Sequence, residues 1–242
     1  MSRGGSYCAN SYYHDATCCS VDTEESNVCG AQKKTYQRIY NGDRTTVKEW
    51  PWIAYLKMCK NYKCKICGAT FINAEWVVTA AHCVGQFDPR VSSLTVGADE
   101  FDSNTGLPKS PLYPVRTYEI VKLEIHPDYN EKDGYPRNDI ALIQVRDTSS
   151  SQQATFAPTP ICLPDGEESA AGKNCWVAGY GKEEYSDRLP SFKLSEAHVP
   201  IASDEDCLSA YKGVDNRNGC YQNNRQKILF IDPIFNIIIL NF

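Results

Sequence analysis

Nowhere in the 242 residues does a run of lysine or arginine occur, and the formal net charge is −5. Without a basic patch the chain is a poor fit to nucleic acid or an anionic membrane surface, so no nucleic-acid partner is expected. It has no apolar run of the roughly 20 residues a spanning helix needs, so no membrane span is expected. The opening MSRGGSYCAN lacks the apolar core of a secretory leader. No Asn-x-Ser/Thr sequence occurs, so glycosylation gives no independent sign of compartment. No long helical periodicity and no internal repeat are visible, which leaves strand-based architectures.

What the chain does have is cysteine: 12 residues, with 42% apolar and 23% charged residues around them, a globular composition. The cysteines are scattered rather than gathered into paired CxxC units, which points to disulfides in an oxidising, extracellular compartment. A secreted composition without a leader gives the expectation that the start of the chain is missing.

Three regions differ in character. Residues 1–37 hold Cys8, Cys18, Cys19 and Cys29 with few aliphatic residues, and cannot build a core without disulfides. They read as a pro-segment or the end of a small disulfide module: ATCCSVDTEESNVCG is weakly similar to the end of the clip module found upstream of some invertebrate proteases, and a plain linker with one tether cysteine fits equally. Residues 38–220 form the main domain. Its first part, about 38–148, is a series of short β-branched and aromatic segments (WIAYLKM, ATFI, EWVVTA, SLTVG, RTYEIVKLEI, IALIQV) separated by Pro, Gly, Asn and Asp. That pattern predicts an antiparallel barrel or sandwich, with a helical turn at Ala80–Val84. SSSQQATFAPTPICL reads as a crossing to a second part, about 160–220, with strand-like NCWVAGYG and FKLSEAHVPI and a short helix at SDEDCLSAY capped by Ser203. Residues 221–242 form a divergent tail without Gly or Cys, rich in Ile, Phe, Asn and Leu.

The chemistry centres on VVTAAHCVG. Cys67 and Cys83 bracket a hairpin-like stretch, and a disulfide between them would pin His82 at a strand end. A histidine base needs a carboxylate on its other ring nitrogen to hold one tautomer, and NDIALIQV offers Asp139 just before an apolar strand.

TAAHC with NDIAL resembles the trypsin-like (chymotrypsin-fold) serine proteases. RIYNGDRTTVKEWPWIAYL is similar to that family's activation junction and first strand, CGATFINAEWVVTAAHC to its histidine hairpin, IHPDY and RNDIALIQV to the approach to its aspartate, PICLP to its interdomain crossing, and CWVAGYG to a strand of its second barrel. The resemblance covers about residues 38–220. It implies an all-β fold of two antiparallel Greek-key barrels, the second incomplete, and a secreted zymogen cleaved at Arg38–Ile39 by a protease preferring basic residues. His82 is then general base and acid, and Asp139 its orienting group, the roles of the serine-protease triad. Protein or peptide substrates, an activating protease and protease inhibitors follow as partners, with no cofactor. The disulfides implied are Cys67–Cys83, Cys207–Cys220 and Cys29–Cys162, the last tethering the N-terminal segment after cleavage. Cys59 and Cys64, one short loop apart, are expected to form an extra bridge. Cys175 is left without its family partner, and Cys8, Cys18 and Cys19 leave one odd thiol.

The family's nucleophile lies in a Gly-Asp-Ser-Gly-Gly stretch a short way past the cysteine that Cys220 resembles, and here the text reads LFIDPIFN. No serine follows Ser209. Ser149–Ser151 sit in the crossing, Ser195 in a strand and Ser203 at a helix cap, none with the flanking glycines of an oxyanion hole. Losing a triad serine costs about six orders of magnitude in turnover, so the chain as given is expected to be inactive.

Other readings are open. A protease-like domain without catalysis would act as a binding or regulatory protein; a fragment that never folds would aggregate. CKNYKCKIC with AAHC could supply zinc ligands, but its spacing fits no common zinc pattern, and no metal is expected. GADEFDSNTG could take calcium, though it lacks EF-hand spacing and reads better as a solvated loop. His126 and His198 read as strand-end or surface residues. The 15 residues ILFIDPIFNIIILNF are too few to span a membrane and contain Asp and Pro. They read as a membrane anchor, as a removed tail before a lipid anchor, or, best, as read-through into non-coding sequence. Such an apolar segment beside unpaired barrel edges is an aggregation liability.

Overall fold

The computed structural model describes residues 29–31, 43–85, 87–109, 114–131, 137–149, 156–163, 174–180, 192–200, 230–232 and 237–239. They hold eleven strands and one short helix. The first six long strands are β2 (Ile53–Lys60), β3 (Lys63–Phe71), β4 (Trp76–Thr79), β5 (Asp88–Val96), β6 (Arg116–Ile125) and β7 (Ala141–Asp147), with α1 (Ala81–Val84) between β4 and β5. They close into an antiparallel barrel in the order β2-β3-β4-β7-β6-β5. Closure removes every sheet edge, which a free hairpin would leave exposed.

Alternation explains the strands. In β7, Ala141, Ile143 and Val145 are buried while Leu142 and Gln144 between them are partly exposed, the period of two expected of a strand with one face inward. β2 breaks this alternation, with Ile53 through Leu56 all buried. Both faces of β2 are covered, and on one of them Tyr55 packs against Phe101 and Tyr180. Tyr55 stacks on Phe101 at 3.7 Å and meets Tyr180, just past the strand Asn174–Gly179, edge-on at 5.5 Å. Burial pushes the Tyr55 hydroxyl up to about 12.

The second sheet has five strands in the order β1-β9-β8-β11-β10, and is open. It combines β1 (Asp43–Arg44), β8 (Asn174–Gly179), β9 (Ser195–Pro200), β10 (Phe230–Asp232) and β11 (Ile237–Ile239). The fold is therefore all-β with one closed barrel and one partial one. The tail behaves differently from its reading in the sequence. β10 and β11 pair as a hairpin, and Ile238 and Ile239 lie opposite Ala178 and Val177 of β8. An apolar β-branched run thus pairs with Val177 and Ala178 on that side of β8, where the sequence suggests an unpaired edge.

The barrel and sheet are joined by specific bonds. The Trp50 indole donates to Glu196 Oε2 at 2.6 Å and the Tyr180 hydroxyl to the Ala98 carbonyl at 2.6 Å, while the Val47 amide ties the segment before β2 to Asp99 Oδ1 at 2.8 Å. The segment before the barrel is tied to the crossing by Cys29–Cys162, with the Gly30 amide donating to the Pro160 carbonyl at 2.8 Å. The helix expected at SDEDCLSAY lies outside the described residues.

Candidate active site

The antiparallel register of β4 and β7 brings the site together. Thr79 lies opposite Ala141, so the chain leaving β4 and the chain entering β7 meet at one end of the barrel. His82 is three residues past Thr79 and Asp139 two before Ala141. The turn into β7 is made by Asn138, at φ 50°, a conformation asparagine tolerates better than most residues. The Ile140 amide closes that turn onto the Asn138 carbonyl at 2.8 Å, and the Asn138 side-chain amide donates to the Asp128 carbonyl at 3.0 Å. Asp139 is thus set by backbone geometry before its side chain makes any contact.

Asp139 makes two bonds to one residue. Oδ1 accepts from the His82 backbone N–H at 2.7 Å, and Oδ2 lies 2.6 Å from His82 Nδ1. The first bond replaces a missing cap. Ala80 precedes α1 in an extended conformation and has no side-chain oxygen to offer the helix's free N–H groups. The second bond fixes the tautomer: a carboxylate can only accept, so Nδ1 carries the proton and Nε2 keeps its lone pair. The side chains are 8% and 5% exposed, so both bonds form largely out of water.

Around this pair, Cys67–Cys83 ties α1 to β3, and Thr79 Oγ1 donates to the Gly68 carbonyl at 2.8 Å. The Tyr129 hydroxyl donates to Glu131. Tyr129 is pushed well above the usual phenol range by burial first, then by that bond and by the charges of Asp139 and Glu131. Lys65 is lowered by burial, while Asp139 and Glu131 pull it the other way. Tyr129, Glu131, Lys65 and Asn138 were not singled out in the sequence. The signal for Tyr129 and Asn138 is their place in IHPDY and RNDIAL; the involvement of Lys65 depends on the fold.

His82, Cys67 and Cys83 place their donor atoms within 4.8 Å of one another, the grouping a zinc reading would need. The two sulfurs are bonded to each other, however, and a disulfide sulfur is not a thiolate ligand. Cys59 and Cys64 are bonded likewise. In the acidic loop, Asp102 Oδ1 accepts from the Thr105 N–H at 2.8 Å and the Thr105 hydroxyl at 2.9 Å, a solvated turn. His126 uses Nδ1 to accept from the Asp128 N–H at 3.1 Å. His198 falls in β9.

Among the described residues no serine bonds to His82. Ser92 and Ser149 accept from the Cys59 and Thr117 amides, and Ser195 opens β9 opposite Gly179. Arg38, Ile39, Cys8, Cys18, Cys19, Ser203, Cys207 and Cys220 lie outside the described residues; Cys175 falls in β8 opposite Val199.

The sequence matches the family described as Trypsin over residues 39–228. Among characterised proteins it is similar to coagulation factor XI of Bos taurus, 29% identical over 200 residues, covering 80% of this chain and 28% of that protein. It is also similar to ovochymase of Halocynthia roretzi, 29% identical, covering 83% of this chain and 12% of that one. Ovochymase-2 of Mus musculus is 32% identical, with 71% and 26% covered. The chain thus spans less than a third of each of these relatives. A solved structure described as that of GrC superposes with a TM-score of 0.55 at 28% identity, covering 73% of this chain and 71% of that one.

Proposed function

The chain belongs to the trypsin family, and from that membership we propose that its activity is serine-type endopeptidase hydrolysis of protein or peptide substrates, with His82 as general base and Asp139 as its orienting group. The observation that carries this is the pair of hydrogen bonds between Asp139 and His82, one from the backbone N–H to Oδ1 and one between Nδ1 and Oδ2. It leaves Nε2 as a lone pair on a ring that cannot rotate freely, which is what proton abstraction from a hydroxyl requires. When the ring takes up that proton, the adjacent carboxylate stabilises the imidazolium, and the same proton is then delivered to the leaving amine.

We further propose an extracellular zymogen activated by cleavage at Arg38–Ile39, with Cys29–Cys162 keeping the cleaved segment attached. An activating protease and protease inhibitors are the expected partners. The 242 residues hold the base and its carboxylate but no serine after Ser209, so by themselves they are proposed to give no turnover. A second reading follows from the same observation: without a serine on His82, the domain would act by docking.

A labelled fluorophosphonate on the natural, secreted protein separates the two, because labelling requires an activated serine. We expect labelling that appears after cleavage with a basic-specific protease and falls in His82→Ala. A folded, secreted and cleaved product that does not label would overturn the catalytic reading in favour of docking.

A further inference from the structure

Cys59 and Cys64 face each other on the second rung from the β2–β3 turn, with Cα atoms 4.0 Å apart. The Cys59 N–H donates to Ser92 Oγ of β5 at 2.9 Å, so it is sulfur, not that amide, that ties this rung across to β3. The tip beyond it is loaded. Its turn residues, Asn61 and Tyr62, sit at φ 49° and 65°, where an aromatic residue stands in place of the preferred glycine. Lys60 and Lys63, on the rung between turn and bridge, lie directly opposite and repel. Strain of this kind persists only where the surroundings over-determine it, and the fully exposed Tyr62 ring offers no packing to do so. The bridge is what holds the tip closed. It closes a sequence separation of only 5, and a disulfide stabilises less the shorter its loop, so the fold depends little on it.

The three bridges among the described residues differ in access. Cys67 and Cys83 are 1% and 2% exposed, out of reach of a reagent in the folded state. Cys29–Cys162 is reached at the exposed Cys29, but it closes a separation of 133 residues and is braced by the Gly30 N–H on the Pro160 carbonyl. At the tip Cys64 is exposed and Cys59 buried, so an incoming thiolate meets Cys64 and expels Cys59. Lys60, Lys63 and Lys65 adjoin the two cysteines, and no acidic residue lies between Ile53 and Phe71. Asp88, opposite Cys59 on β5, is held by Arg90 at 2.8 Å. Cations beside a thiol favour its thiolate, both the one that attacks and the one that leaves.

We propose that Cys59–Cys64 is a thiol-exchange site, at which a low-molecular-weight thiol is captured as a mixed disulfide on Cys64 and the hairpin tip opens. The thiolate sulfur bonds to Cys64 Sγ, the Sγ–Sγ bond breaks, and its electron pair leaves on Cys59 Sγ, which takes a proton from water. A second thiolate attacking the mixed disulfide at the captured sulfur departs with it as the oxidised disulfide and leaves Cys64 as a thiolate. Two thiols are thereby oxidised and the bridge is reduced to a dithiol. Opening lets Asn61 and Tyr62 leave the left-handed region and separates the two lysines, which works against reclosure. The ladder from Ile53–Thr70 to Met58–Lys65 and the Cys67–Cys83 bridge keep the barrel closed meanwhile.

The test treats the disulfide-intact full chain with reduced glutathione under native conditions, quenches with an alkylating agent and maps each cysteine by mass spectrometry. Cys64 carries the glutathione adduct and Cys59 the alkyl group, about tenfold or more ahead of any change at Cys29–Cys162 or Cys67–Cys83. Tyr62→Gly, which suits the turn, lowers the opened fraction at a fixed thiol concentration by about threefold or more. Lys60→Gln with Lys63→Gln slows opening and removes most of its dependence on salt. Cys59→Ser with Cys64→Ser folds with unchanged circular dichroism and takes up no glutathione at the tip. An adduct on Cys59, opening of another of these bridges at an equal rate, or opening untouched by the tyrosine and lysine variants overturns the proposal. A double serine variant that fails to fold makes the bridge structural and overturns it too. None of these readouts uses fluorophosphonate labelling, so failure of the catalytic reading is seen separately.

Discussion

Replacing Asp139 tests whether the carboxylate is a structural cap as well as a partner for the ring. Asp139→Ala removes the 2.7 Å bond to the His82 N–H and the 2.6 Å bond to Nδ1 together. Each is a bond to an ionised group, worth about 1.5–3 kcal/mol. Both form where the side chains are 8% and 5% exposed, so water does not readily replace the lost acceptor. The expected cost is about 3–5 kcal/mol, a large part of the roughly 5–15 kcal/mol that holds a typical domain. Asp139→Asn separates the two bonds. Its carbonyl oxygen still accepts from the His82 N–H, but its NH₂ now faces Nδ1 and forces the ring proton to Nε2. The loss should be about half that of the alanine variant, with the tautomer reversed. Urea midpoints on disulfide-intact protein give the two stabilities, and nitrogen-15 NMR of the His82 ring reads the tautomer. A cost for Asp139→Ala of no more than about 0.5 kcal/mol, the level of a surface substitution, would refute the reasoning. So would equal costs for the two variants, or an unchanged tautomer in Asp139→Asn.

Tyr55→Phe should leave stability unchanged or raise it by up to about 1 kcal/mol, because the buried Tyr55 hydroxyl has no hydrogen-bond partner and the ring's packing on Phe101 is kept; a clear fall in melting temperature would show that the hydroxyl is satisfied. Asp99 is raised above the usual carboxylate range, first by burial and then by Glu49, against the pull of the Val47 amide and Lys48. The folded state thus binds its proton more tightly than the unfolded state, and stability falls as pH rises from the ordinary aspartate range, about 3.9, through the raised value. Asp99→Asn should flatten that limb and stabilise the protein at neutral pH; parallel pH–stability curves for the two proteins would count against it.

The site was legible to the extent that its residues stand in short local motifs. TAAHC and NDIAL each fit within a few residues, so His82 and Asp139 could be named, and the structure brings them together. The pairs Cys29–Cys162, Cys59–Cys64 and Cys67–Cys83 are likewise joined. The capping of α1 by Asp139 could not be read, because Ala80 gives no local cue and the oxygen comes from 57 residues away. Nor could the continuous burial of β2, which depends on Tyr180 reaching Tyr55 from beyond β8. The pairing of Ile238 and Ile239 with β8 is of the same kind: composition marks the tail as apolar and β-prone, but register against a distant edge leaves no trace in periodicity.

The make-up of the second sheet also orders events in time. Every strand of the barrel lies between Ile53 and Asp147, so its ladders can form as soon as that stretch is available. The second sheet draws β1 from Asp43–Arg44 and β11 from Ile237–Ile239, nearly the full span of the chain. Closing contacts over such a separation is slow, and a ribosome delivers those isoleucines about 90 residues after the barrel's final strand. During synthesis a finished barrel must therefore wait with the Tyr55 and Phe101 rings uncovered, since Tyr180 arrives only with the strands that follow. That interval, rather than the folded protein, is when the chain is most open to aggregation.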